Sequence, residues 1–144
     1  MVNNDTIELL KECNAGIKMG VSSIDEVLDN VYSENLKKLL EDSKEEHERL
    51  GDDTHSLLSE YHDSGKEPNI MAKGMSWMKT NIMIAMDESD ATIADLITDC
   101  CNMGVKSLNR YLNQYKAAEE RVKDIAKKLI KIEDNLAKEI RAYL

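Results

Sequence analysis

The sequence predicts an all-α protein, an antiparallel up-down-up-down four-helix bundle. Three observations carry that expectation. The 144 residues hold one proline, six glycines and no phenylalanine beside an abundance of Leu, Lys, Glu, Ala and Met, a helical rather than a β composition. Apolar residues recur at spacings of three and four along most of the chain, the period of a helix with one buried face. With 42% hydrophobic and 33% charged residues there is material for a core and a charged surface, and a chain this long is expected to form one domain over residues 1–144.

The first helix is read from Ile7, Leu10, Ile17, Val21, Ile24, Leu28 and Val31, with Asn14 interrupting the series. Asp5 is placed to cap its start, and Glu8, three residues on, closes a capping box. Ser33 caps the second helix, whose inward series is Leu36, Leu40, Ser43, His47, Leu50, Thr54, Leu57 and Tyr61, with polar residues inside it. Gly65 and Pro68 then signal a turn.

Met71, Met75, Met78 and Ile82 form the next stripe, with Trp77 beside it. The acidic residues Asp87, Glu88 and Asp90 break the pattern and offer new caps. An unbroken helix over residues 70–115 would be about 70 Å long, far beyond its neighbours, so the Met-rich segment is read as a short connecting helix. The third long helix buries Ile93, Leu96, Ile97, Cys100, Gly104, Leu108, Tyr111 and Tyr115, and the fourth Val122, Ile125, Leu129, Ile132, Leu136, Ile140 and Tyr143. Four such stripes pack most simply as a bundle.

A net charge of -9 argues against nucleic acid as a partner, because phosphates are bound by clustered Lys and Arg. Residues 1–70 carry 17 acids and 7 bases while residues 116–144 carry 6 and 8, an asymmetry suited to antiparallel packing within the domain or between subunits. No apolar run approaches the ~20 residues that a bilayer needs, and no leader is apparent, so a cytoplasmic protein without a membrane partner is expected. Cys13, Cys100 and Cys101 lack CxxC spacing and are expected as reduced, mostly buried thiols.

The chemistry a bundle most readily holds is a two-metal carboxylate site, built from four inward carboxylates and two histidines. The inward polar positions are Asn14, Ser43, His47, Thr54 and Cys100, without a carboxylate; Glu133 is read one position off the fourth stripe, and Lys44 precedes His47 by three. His47 is expected inside, near Asn14 and Cys100, neutral and hydrogen-bonded to Asn14 or Ser43. The alternative is an altered metal site for iron, manganese or zinc, using His47 with Cys100 or Glu46. Asp52 and His55 have ligand spacing but lie off the apolar stripe, and the acids around them read as a hydrated face. The methionines could suit Cu(I), but a helix lying across a bundle end needs adaptable filling, and core or interface packing is the expectation for them. Neither a nucleophile motif nor a phosphate-binding loop is present.

The stretches LLKECNAGIKMG, GMSWMK and ATIADLITDCCNMGVKSLNRYL resemble the ferritin-like superfamily, in particular a small bacterial rubrerythrin-related branch of mostly unassigned function. Cys13, Gly16, Trp77 and Tyr111 are similar to residues of that family that concern packing. The resemblance implies the bundle, but its metal ligands are replaced: Ile17 stands where relatives have the first-helix glutamate, the third helix has Cys100 to Gly104 at its centre, and Lys44 takes the acid's place before His47. The expectation is therefore a non-catalytic bundle without a cofactor, acting as a homodimer or through another protein. The alternative is a metal-binding or redox protein with a degenerate site near His47.

Overall fold

In a computed structural model, which describes residues 3–61 and 89–144, the chain forms four long helices and a short 3-10 turn. The long helices are α1 (Asn4–Leu28), α2 (Glu34–Glu60), α3 (Asp90–Gln114) and α4 (Glu120–Glu139); the turn, Ile140–Tyr143, follows α4. The Met-rich connecting segment with Trp77, and the turn signal at Gly65 and Pro68, lie outside the described residues.

Local chemistry sets the helix starts. The Asn3 side chain, not Asp5, caps α1 by accepting the Thr6 amide, so the helix begins before the expected capping box. Asp5 instead reaches across the bundle end and accepts the Ala117 amide. Ser33 caps α2 as its sequence predicts, accepting from Leu36. Ser89 caps α3 through Thr92, within the break expected there.

End-to-end contacts fix the direction of each helix. At one end, Asp90 opens α3 and accepts the amides of Tyr32 and Ser33, in the turn between α1 and α2. At the other, Asn3 and Thr6 bond to Ala117 and Glu119 in the loop before α4, and the Tyr61 hydroxyl donates to Glu119. Hence α2 and α3 both start at the first end and run the same way, whereas α1 and α4 run oppositely. The bundle is present, but its path is up-down-down-up rather than up-down-up-down. In cross-section α2 and α3 occupy opposite corners, so the four pairs along the edges are antiparallel, while the parallel α1 and α4 pack on each other across the other diagonal. The chain leaves α2 at one end of the bundle and enters α3 at the other.

The core divides into two apolar clusters. One contains Leu9, Leu10, Cys13, Ile17, Leu50, Leu108, Val122 and Leu129; the other contains Ile24, Val27, Leu36, Leu40, Ile93, Ile97, Cys101, Leu136 and Ile140. Each large side chain so buried contributes about 1.5–3 kcal/mol. Between the clusters every helix interrupts its apolar seam: Gly20 in α1 between Ile17 and Ile24, His47 in α2 between Leu40 and Leu50, Gly104 in α3 between Cys101 and Leu108, and Glu133 in α4 between Leu129 and Leu136.

Candidate functional site

This interrupted level is where the chemistry collects. The inward series of α2 carries His47 into the bundle, where it is 1% exposed, and α4 brings Glu133 to meet it at 7%. His47 Nε2 lies 3.4 Å from Glu133 Oε1. The other ring nitrogen, Nδ1, is 2.7 Å from the Ser43 carbonyl oxygen, to which it donates. The expected inward position of His47 and its link to Ser43 are therefore present, through the backbone oxygen. Asn14 is buried, but both ring nitrogens are already engaged elsewhere.

Glu133 is the residue of this buried pair that the sequence does not single out. Its α4 stripe was expected to include Ile132, with Glu133 outside and no carboxylate within. The structure reverses that assignment: Glu133 is buried and Ile132 is half-buried against one core cluster. Positions 129, 133, 136 and 140 are themselves spaced by four, three and four, so helical periodicity fits either choice. The signal that could have found Glu133 is the pair of mid-helix glycines. A Cβ at Gly20 would stand 2.7 Å from His47 Nε2, and one at Gly104 would stand 2.5 Å from Glu133 Oε2. The pair fits because those two helices present bare backbone to it.

The electrostatics are those of two ionisable groups removed from water. Burial is the largest influence on His47 and lowers its pKa, but the hydrogen bonds its ring donates to Glu133 and to the Ser43 carbonyl, with the nearby acids, together raise it above the ordinary 6.5. Burial raises Glu133 above 4.5, while His47 offsets part of that rise. Both directions say that the pair holds a proton more tightly than the separated groups.

A cavity of about 400 Å³ opens between α1 and α3 with His47 and Glu133 at its floor. Its walls are mostly apolar, with Ile97, Leu108, Leu129 and Leu136 among them, and Ala15, Gly16 and Gly20 leave the room along α1. The size is that of small-molecule sites. Cys100 was expected buried on the α3 face; it is half-exposed and lines this cavity, while Cys101 takes the more buried position.

The remaining predicted ligands are dispersed. Glu46, Asp52 and His55 are exposed on the outer face of α2, and Lys44 forms an ion pair with Asp25 of α1 at 2.6 Å. Among the described residues, no group of three His, Cys, Asp or Glu side chains could hold a metal ion. A di-iron carboxylate site needs several inward carboxylates and two histidines, and the described residues do not fit it. No described helix is long and apolar enough to cross a membrane.

Fold and site together define a four-helix bundle with a buried His–Glu pair beneath a lateral cavity. A crystallographically solved DUF305 fragment from Deinococcus radiodurans is similar to it, with a TM-score of 0.76 over 98% of this chain and 95% of that one. At 9% sequence identity the likeness establishes the all-helical fold alone. No protein-family profile matches the sequence, and no curated protein matches it.

Proposed function

We propose that the protein is a cytoplasmic, non-catalytic helical bundle, folded as one domain, that binds a small, largely apolar molecule in the cavity between α1 and α3. The observation that carries this reading is the cavity itself: about 400 Å³, apolar walls, and a buried polar pair confined to its floor. A bundle selected only to pack would fill such a space, because interiors are packed as densely as organic crystals. Here Gly20 and Gly104 admit the His47–Glu133 pair at the level where leucines fill the seam above and below, and the cavity opens over that pair. The thiols that border the pair's cavity, Cys100 and Cys101, are held protonated by burial and offer little thiolate for acyl transfer.

The test is binding of a neutral fluorescent probe, N-phenyl-1-naphthylamine, to the full chain. Its emission should rise on addition of protein, and Ala15→Phe, which fills the cavity mouth, should abolish the rise. An unchanged rise in that variant refutes the assignment.

Assembly belongs to the same proposal. A homodimer is the commonest closed arrangement, and Tyr32 and Met103 are large apolar side chains left 67% and 64% exposed. Light scattering that shows only the 16.3 kDa monomer at micromolar concentration overturns that part.

A further inference from the structure

The two nitrogens of His47 are not equivalent. Nδ1–H is committed to the Ser43 carbonyl, so in a neutral ring Nε2 carries its lone pair toward Glu133 Oε1 at 3.4 Å. Two acceptors face each other unless one of them is protonated. The contact therefore contains a proton, either on Nε2 or on the carboxyl, and with that proton the pair is electrically neutral.

The groups around the pair decide what could replace the proton. Glu46 on α2 and Asp134 on α4 act on it as acids, Cys100 and Cys101 present thiols from α3, and Glu12 of α1 lines the cavity above. Among the described lining residues there is no Lys or Arg. An anion entering this cavity would meet Glu133 at the floor and Glu12 on the wall, and would require a second proton at the floor. A cation would meet Glu133, and the site would stay neutral if its proton left.

We propose that the cavity takes an amphiphilic organic cation of the alkylammonium type, whose head group settles against Glu133 in exchange for the proton held between Glu133 and His47. This rests on the small-molecule reading above and names its ligand class. In the exchange one positive charge enters and one proton departs to solvent; no covalent bond to carbon forms or breaks. His47 becomes neutral, its Nε2 lone pair accepts an ammonium N–H, and the Glu133 carboxylate accepts another. The hydrocarbon part lies along Ile97, Leu108, Leu129 and Leu136. Gly20 and Gly104 have a role here as well, since a side chain at either would cover the atoms that receive the head group.

Three probes with one hydrocarbon tail test the proposal by isothermal titration of the full chain: n-octylamine, 1-octanol and octanoate. Octylamine should bind at least tenfold more tightly than the other two. Its Kd should fall by up to about tenfold per pH unit between pH 6 and 8, with one proton released per amine, as read in buffers of different ionisation enthalpy. Glu133→Gln should bring octylamine to the affinity of octanol and leave octanol unchanged. Equal affinities, pH-independent amine binding or tightest binding of octanoate each overturn the cation proposal, while octanol or octanoate binding leaves the small-molecule reading intact. Absence of binding by all three overturns both.

Discussion

Glu133 and His47 meet across the bundle at 3.4 Å, at the level where all four helices interrupt their apolar seams. A buried pair of this kind gains Coulomb energy in a weakly polar medium but gives up hydration, and the two terms are comparable. The asymmetry lies in removing one partner, which leaves the other buried without compensation.

His47→Leu alone should therefore destabilise the fold by about 3–5 kcal/mol, because Glu133 loses its partner. The double variant His47→Leu/Glu133→Leu should recover most of that loss, since the freed volume becomes part of a continuous core. Urea denaturation of the two single variants and the double variant measures the coupling. Additive losses would show that the pair is not energetically joined.

The same pair makes stability depend on pH. Because the folded pKa of His47 is raised, its stabilisation is complete below the ordinary 6.5 and is lost as pH rises through the folded value. Glu133 is also raised, so ionising it in the fold costs more than ionising it in the unfolded chain, and the sign is the same. Unfolding free energy should decline from about pH 6.5 upward relative to a His47→Gln/Glu133→Gln variant. Parallel curves for the two proteins from pH 6 to 9 contradict this assignment.

The glycines give a sharper structural test. Gly16→Ala places its Cβ 3.4 Å from Leu129, an ordinary contact, and should be neutral or stabilising by up to about 1 kcal/mol through helix propensity. Gly20→Ala and Gly104→Ala drive a Cβ into His47 and Glu133 and should each cost about 1–3 kcal/mol. Thermal unfolding of the three variants separates the effects, and a destabilised Gly16→Ala beside a neutral Gly20→Ala would reverse the argument.

That contrast also marks what the sequence could reveal. Long amphipathic stripes made the helices legible, because burying Leu36, Leu40, Ile93 and Leu129 on one face leaves little freedom in helix phase. His47 was legible for the same reason, as it occupies a seam position between leucines. Glu133 was not, because Ile132 beside it satisfies the periodicity nearly as well, and only the bare backbone of Gly104 opposite makes room for the carboxylate. Helix direction was hidden too. It depends on Asp90 reaching Tyr32 and Ser33, contacts 58 and 57 residues apart that periodicity does not encode.

Asp90 consequently acts as a clasp on the helix order. Both carboxylate oxygens accept backbone amides that α2 and its preceding turn would otherwise leave to solvent, at 2.8 and 2.9 Å. Its position at the start of α3 also complements the helix dipole. Asp90→Ala should cost about 1–3 kcal/mol, with Asp90→Asn costing less because one acceptor remains. Hydrogen exchange should show faster amide exchange at Tyr32 and Ser33 in Asp90→Ala; unchanged exchange there would remove the clasp.

The cysteines report on the cavity without touching the pair. Burial pushes the Cys13 thiol up to about 12 and raises Cys101 further, so neither supplies much thiolate near neutrality. Cys100 is raised mainly by burial as well, but the Ser23 hydrogen bond opposes the rise and the side chain borders the cavity. Iodoacetamide at pH 8 should therefore modify Cys100 first, slowly compared with a free thiol, and Cys100→Ala should remove that earliest reaction while urea exposes the remaining thiols. A molecule occupying the cavity should slow Cys100 without changing Cys13, because Cys13 lies in the apolar cluster on the far side of the His47 level. Mass mapping that finds Cys13 modified as early as Cys100 would mean that the bundle opens as a whole before the reagent enters, and that the cavity is not the route.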